Sequence, residues 1–121
     1  MFVNTETKFI WKNGSFHQWN DSNIHILTHT LHYGLGVFEG VRAYSTAKGP
    51  AIFRLDDHTD RLFSAADKVN IEVPCTKEDI IEVQKSMFSK NVLDEGYIRP
   101  MIYLGSESMG LRASDLSVNI A

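Results

Sequence analysis

One cysteine, three prolines and no long apolar run set the first limits on this 121-residue sequence. Cys75 alone cannot close an internal disulfide or complete a cysteine metal knuckle, so neither staple supports the fold. It follows Pro74 just before a predicted helix and reads as incidental rather than nucleophilic. A reducing, cytoplasmic setting is the expectation. A basic excess is lacking too: 12 Lys and Arg stand against 15 Asp and Glu, a net charge of −3. Nothing here calls for nucleic acid or an anionic membrane as partner. No apolar stretch approaches the ~20 residues of a bilayer span. Met1 to Phe16 also lacks the basic-then-apolar order of a signal peptide. Repeats, low-complexity tracts and a Pro/Gly/Ser linker are absent as well. With ordinary hydrophobic (43%) and charged (22%) content, residues 1–121 are expected to form one domain with one core. The sequence stops on an apolar run, Val118-Asn119-Ile120-Ala121, entering a predicted strand. That ending predicts that the domain is part of a longer polypeptide.

What is present reads as strands around two helices. Asn13-Gly14 between Phe9–Lys12 and Ser15–Trp19 is the two-residue signal of a type I′ hairpin. A His-rich segment, His25 to Tyr33, runs into Gly34 and Gly36, which favours a turn or short helical piece. Val37 to Tyr44 reads as one strand, Lys48-Gly49-Pro50 as a turn and Ala51 to Arg54 as the return strand. Asp56 or Asp57 is expected to cap a first helix, with Leu62, Ala65, Ala66 and Val69 on its apolar stripe. Lys68 lies near its end, where a cation suits the helix dipole. Thr76-Lys77-Glu78-Asp79 resembles a capping box with Asp for Glu and opens a second helix. Ile80, Val83 and Met87 form its expected buried face, with Ile81 and Phe88 beside it, and Asn91 to Gly96 ends it. Tyr97 to Leu104 reads as one long strand, and a Gly/Ser-rich loop leads to a last strand from Leu116. The expected fold class is α+β: a two-layer sandwich of a mainly antiparallel sheet and two helices.

Four places can carry chemistry. In Val37–Tyr44, alternation puts Phe38, Gly40, Arg42 and Tyr44 on one face and Val37, Glu39, Val41 and Ala43 on the other. A strand glycine flanked by an aromatic and an arginine makes an anion-tolerant, ring-lined gap; the same residues also fit a bulge glycine beside a solvated arginine. Tyr97 and Arg99 share a face, where a phenol and a guanidinium can hold a carboxylate, or simply face solvent. Arg61, one turn into the first helix, can grip a phosphate with its planar fork, though helix-surface arginines are usually only solvated. His25, His29 and His32 have a spacing compatible with zinc on a helical face. Gly34 and Gly36 weaken that helix and no cysteine or carboxylate within the segment completes the set, so ordinary polar or turn-packing histidines are the better reading.

Taken together, His32-Tyr33-Gly34, Val37-Phe38-Glu39-Gly40-Val41-Arg42, Gly49-Pro50 with Phe53-Arg54-Leu55, Arg61-Leu62 and Tyr97-Ile98-Arg99-Pro100 follow one another in a recognisable order. In that order and at these intervals the chain resembles branched-chain amino-acid aminotransferases, fold-type IV enzymes, over essentially its whole length. Each motif is short, but five in register are specific. Related D-amino-acid aminotransferases and aminodeoxychorismate lyases share the glycine-rich turn and generally lack the two strand motifs.

The resemblance implies an N-terminal small domain of a pyridoxal 5′-phosphate enzyme that exchanges amino groups between leucine, isoleucine or valine and 2-oxoglutarate. It implies that Arg61 holds the cofactor phosphate and that Phe38 and Gly40 line the branched side-chain pocket. Tyr97 would contact the substrate carboxylate, and Arg99 the second carboxylate of glutamate. An arginine at the rim of an aromatic pocket lets one site accept both acidic and apolar side chains. Tyr33 and the loop around Met109-Gly110-Leu111 would reach the site of a neighbouring subunit, because the family forms dimers or larger assemblies. Arg42 is assigned to positioning the tyrosine and arginine of the adjacent strand. None of the seven lysines (Lys8, Lys12, Lys48, Lys68, Lys77, Lys85 and Lys90) matches the family's cofactor-bearing lysine. That lysine, with the acidic partner of the cofactor ring, is expected in a second domain absent from these residues, so the chain alone is expected to be inactive. Two other readings compete: another fold-type IV enzyme acting on D-amino acids or amines, and a small metal-binding module built on the histidines.

Overall fold

A computed structural model describes residues 6–121; Met1 to Thr5, part of the stretch searched above for a leader, lie outside the described residues. Strands β1 (Phe9–Lys12) and β2 (Ser15–Gln18) form the expected hairpin, with Lys12 opposite Ser15. Asn13 and Gly14 both take positive φ, 48° and 95°, as a type I′ turn demands. The Asn13 side chain then ties this hairpin to the far end of the chain. Its Nδ2 donates to Asn119 Oδ1 (2.8 Å) and its Oδ1 accepts from the Ile120 N–H (2.9 Å).

The His-rich segment folds as a short helix, α1 (His29–Tyr33), closed by Gly34 in the left-handed conformation at φ 71°. Gly36 lets this helix sit close to the sheet, because a Cβ there would lie 2.9 Å from Thr30 Cγ2 and 3.1 Å from the Ile102 carbonyl oxygen. The expected strand over Val37–Tyr44 is two strands, β3 (Gly36–Phe38) and β4 (Val41–Thr46). Its return strand, β5 (Gly49–Ile52), starts and ends two residues earlier than expected. The turn is Ala47-Lys48, and Gly49 follows at φ 101°, the geometry of a bulged hairpin turn. Pro50 therefore lies within an edge strand, where a missing N–H is tolerated.

Helix α2 (Leu55–Lys68) buries Leu55, Thr59, Leu62 and Ala66 at spacings of four and three. Neither Asp56 nor Asp57 caps it. Arg54 occupies the N-cap in a left-handed conformation (φ 52°), and Asp57 instead accepts from Arg54 Nε at 2.8 Å. Both aspartates still sit in the first turn, where the helix dipole favours them. Helix α3 (Lys77–Asn91) opens with the expected capping box: Thr76 Oγ1 accepts from the Asp79 N–H (3.1 Å), and Asp79 Oδ2 from the Thr76 N–H (3.0 Å). Its deepest face is Ile80, Gln84, Phe88 and Asn91, rotated from the expected Val83 and Met87, which are half-buried. Rotation brings Gln84 against α2, where its amide donates to Thr59 Oγ1 (3.1 Å) and satisfies part of a buried polar group.

The expected long strand Tyr97–Leu104 is also two strands, β6 (Gly96–Ile98) and β7 (Met101–Leu104), and β8 (Val118–Ile120) completes the set. Among the described residues all strand pairs are antiparallel, in three ladders: β1-β2, β3-β7-β8 and β5-β4-β6. With the helices they make the expected α+β fold. Leu62, Ala66, Ile71 and Ile80 from the helical side meet Ile102, Leu104, Leu116 and Ile120 in one core. Fully burying one such side chain stabilises the fold by ~1.5–3 kcal/mol, so this cluster fixes how the strands carrying the site lie against α2. No helix among the described residues is long and apolar enough to cross a membrane.

Candidate functional site

The site grows from one interruption shared by two strands. Val37 pairs with Ile102 and Phe38 with Met101 on one side of it, Val41 with Ile98 and Arg42 with Tyr97 on the other. Continuing either register through the gap sets Glu39 opposite Pro100 and Gly40 opposite Arg99, so neither strand gains or loses a residue. The Glu39 N–H donates to the Pro100 carbonyl at 2.9 Å, but Pro100 has no N–H to return. The ladder opens there for that reason. Alternation nonetheless persists through the break: Glu39, Val41 and Ala43 are buried, while Phe38, Arg42 and Tyr44 are exposed.

On the outward face, Phe38 and Gly40 come together with Tyr97 and Arg99, as the resemblance implies. The Arg99 guanidinium lies 4.4 Å from the Phe38 ring centroid and 5.3 Å from that of Tyr97. Its Nη2 donates to the Tyr97 hydroxyl oxygen at 2.8 Å, leaving the phenol proton free to donate elsewhere. Gly40 provides the floor. A Cβ there would stand 2.1 Å from the Tyr97 hydroxyl oxygen and 2.9 Å from Cζ, so only a glycine admits the ring in this position. Arg42 faces Tyr97 across the ladder, yet its guanidinium turns back over Tyr44 of its own strand, 5.8 Å from the centroid. Among the described residues neither Arg42 nor Arg99 pairs with a carboxylate. The face therefore presents two cations and several ring faces, with Phe38 61% and Tyr97 53% exposed. It is a wall rather than an enclosed pocket. A wide cleft elsewhere, between β5, α2 and α3, is lined by Ile52, Leu55 and Phe88 and by none of these residues.

Behind the break, Glu39 turns inward and meets α2. Arg61 donates to both of its oxygens, Nε to Oε1 at 2.5 Å and Nη2 to Oε2 at 2.9 Å. His58 Nδ1 lies 3.0 Å from Oε2 and must carry the proton there, since a carboxylate only accepts. The Glu39 side chain is 7% exposed and that of Arg61 70%. The bidentate arginine first, then the His58 contact, hold the Glu39 carboxyl at a pKa of about 2 against the opposing effect of burial. The same contact raises the Arg61 pKa further above its ordinary value. Arg61 Nη1 has no partner among the described residues and sits on an exposed side chain. The arrangement is a fixed cation with open donor capacity toward solvent, which suits an anion such as a phosphate.

Tyr33 and Leu111 are also brought into one neighbourhood. The Tyr33 hydroxyl donates to the Met109 carbonyl at 2.7 Å, and Leu111 stands next to that loop, 81% exposed. The histidines do not assemble. His25 Nδ1 accepts from the Leu27 N–H, His29 Nε2 meets the Gly110 carbonyl, and His32 Nε2 meets the Ile26 carbonyl. Each is used in a separate local contact, and among the described residues no group of three or more His, Cys, Asp or Glu is placed to hold a metal ion.

Glu39 and His58 are the functional residues that the sequence reading left unassigned. A signal for Glu39 exists: alternation puts a carboxylate on the same strand face as Val37, Val41 and Ala43, and a charge on a core face requires a partner. His58, one helical turn before Arg61, is the helix position that can share that partner.

This architecture defines a class before it defines an activity: an α+β domain with a buried acid holding an arginine behind a glycine-floored aromatic wall. The chain belongs to the amino-transferase class IV family, whose pattern matches residues 36–121. It is 54% identical over 111 residues to a branched-chain-amino-acid aminotransferase of Pseudomonas aeruginosa, covering 92% of this chain and 36% of that protein. It is 39% identical over 103 residues to the Escherichia coli (strain K12) protein of the same name, covering 85% of this chain and 33% of that one. A crystal structure of the E. coli branched-chain amino acid aminotransferase superposes with a TM-score of 0.91 at 36% identity, over 94% of this chain and 38% of that chain. A crystal structure of the branched-chain amino acid aminotransferase from the archaeon Thermoproteus uzoniensis with norvaline gives 0.89 at 30% identity, over 94% and 39%. The chain thus spans about a third of the length of the curated relatives it matches.

Proposed function

We propose that residues 1–121 are the substrate-recognising small domain of a cytoplasmic branched-chain-amino-acid aminotransferase. The observation that carries this reading is the Phe38–Arg99–Tyr97 cluster over Gly40. Phe38 and the Gly40 backbone offer an apolar surface for a branched side chain. The Tyr97 hydroxyl, already accepting from Arg99, directs its own proton toward a substrate carboxylate. Arg99, stacked on Phe38, meets the side-chain carboxylate of glutamate or 2-oxoglutarate, while a leucine side chain rests on the ring beneath. Arg42, held over Tyr44, keeps positive charge beside this wall without blocking it.

Arg61 is the residue that fits a cofactor phosphate, because Glu39 fixes its plane through two bonds and leaves Nη1 open. Pyridoxal 5′-phosphate supplies the electron sink for amino-group transfer when bound. No lysine of this chain lies on β3, β6 or β7; they lie in the segment leading to β1, within β1, in the β4–β5 turn, and on α2 and α3. We infer that the cofactor-bearing lysine and the acid partnering the cofactor ring come from sequence that has no counterpart here. Exposed Ile24, Ile26, Leu27 and Leu31 around α1, with Leu111, favour assembly with further copies, as exposed apolar surface generally does.

Two assays test this. The full-length polypeptide carrying this chain should transaminate L-leucine and not D-alanine; the reverse preference overturns the branched-chain assignment. In the same polypeptide, Arg99→Leu should raise KM for 2-oxoglutarate at least tenfold, the loss expected for one charge-assisted contact, with L-leucine much less affected. Equal losses for both substrates would remove Arg99 from its assigned role.

A further inference from the structure

We propose that His29 and Tyr33 are positioning residues which clamp the 105–110 segment against α1 and thereby set where Leu111 is presented. The proposal rests on the reading that this segment contributes to a substrate site.

The segment is gripped at both ends by one short helix. At its start, the Leu104 N–H donates to Thr30 Oγ1 (2.8 Å) and the His29 N–H donates to the Gly105 carbonyl (2.9 Å). At its tip, His29 Nε2 lies 3.0 Å from the Gly110 carbonyl and the Tyr33 hydroxyl donates to the Met109 carbonyl at 2.7 Å. A carbonyl can only accept, so His29 carries its proton on Nε2. The His29 and Tyr33 rings lie one turn apart with centroids 4.5 Å from each other, a spacing that brings both donors to adjacent carbonyls.

His29 is the unusual member of the set. It is 1% exposed, its Nδ1 has no hydrogen-bond partner, and it binds the segment with both main chain and side chain. A burial that leaves an acceptor unsatisfied is unfavourable, so the contact to Gly110 must offset it. An apolar residue would fill the same space without that cost; what it would not supply is a donor for Gly110. The segment's own turn contacts are short-range: Ser108 Oγ accepts from the Gly110 N–H at 3.3 Å, and Glu107 is bonded by Ser117. They leave the tip unattached to the body of the fold. The two α1 side chains supply that attachment, and Leu111 is the next residue after the last clamped carbonyl.

The clamp is tested on the 121-residue chain by the rate of tryptic cleavage after Arg112, the exposed basic residue just beyond the tip. His29→Met removes the donor at similar volume, and Tyr33→Phe removes the exposed hydroxyl without opening the core. Each should speed cleavage after Arg112 about fivefold, the effect of one net hydrogen bond, and Tyr33→Phe should lower the melting temperature by no more than the few degrees that one such bond is worth. His29→Gln, which keeps an amide donor near the Nε2 position, should restore slow cleavage. If His29→Met does not fold, Tyr33→Phe alone decides. Unchanged cleavage after Arg112 in the variants that fold overturns the clamp.

Kinetics of the full-length polypeptide separate this from the substrate reading. If both hold, His29→Met raises KM for L-leucine with kcat little changed, and His29→Gln recovers it. Faster cleavage with unaltered KM supports the clamp and overturns the placement of Leu111 at a substrate site.

Discussion

Glu39 holds Arg61 through both of its carboxylate oxygens, from a strand break 22 residues away in sequence. The acid is buried and the base exposed, so the pair acts as a fixed anchor carrying an accessible cation. A surface ion pair contributes little, but this one has ideal bidentate geometry and a second donor in His58. Glu39 is thus the residue through which the sheet dictates the orientation of a helix side chain.

The anchor has a pH signature. The folded-state pKa of Glu39, about 2, lies below the ordinary value of 4.5, so the folded state binds the proton less readily. Its contribution is complete above pH ~4.5 and fades as pH falls toward 2. The lowering corresponds to at most ~3 kcal/mol, reduced by solvent screening at the exposed guanidinium. Urea unfolding of the wild type and Glu39→Gln should differ most near pH 6, and the two curves should converge only as pH falls through about 2.

Gly40→Ala should move Tyr97 rather than unfold the domain. The added Cβ meets the far end of a half-exposed ring, which can swing away but loses its contact with Arg99. Stability should fall by no more than ~1 kcal/mol, as for most exposed changes. Ring resonances of Tyr97 and Phe38 should shift in NMR spectra; an unshifted Tyr97 would contradict the close approach.

Asn13→Ala removes two side-chain bonds to Asn119 and Ile120 and places a Cβ residue at φ 48° with no local compensation. The expected loss is ~2–3 kcal/mol in chemical denaturation. Asn13→Gly accepts the dihedral while losing the same bonds, so it should cost roughly half as much.

Val92 ends α3 with φ 55°, ψ 53°, and is 78% exposed. A β-branched residue in that region is strained by about 1–2 kcal/mol, with no packing in return. Val92→Asn should therefore raise the melting temperature by roughly 3–5 °C.

Local rules gave the parts of this protein that depend on near neighbours in sequence. The Asn13-Gly14 turn, the Thr76–Asp79 capping box and the alternating faces of residues 37–44 each follow from steric limits or bonds spanning a few residues. Residue parity put Phe38 with Gly40 on one strand face and Tyr97 with Arg99 on another, because side-chain direction in a strand follows parity even across a break. The resemblance implied that the two pairs share a site, and the β4–β6 pairing brings them to one face.

What the tertiary structure alone decided involves groups far apart in the chain. Pro100 interrupts β6–β7 in sequence, but the matching break at Glu39-Gly40 comes from pairing with it across the ladder. Arg54, not Asp56 or Asp57, starts α2, because the chain leaves β5 in a left-handed turn that a cap preference does not reveal. Gln84 lies on the buried face of α3, and only the packing against α2 shows that a buried hydroxyl, that of Thr59, is there to accept from its amide. Glu39 becomes an anchor only once the core sets α2 against the strands; parity says that a carboxylate points inward, and the packed fold says that Arg61 and His58 are there to meet it.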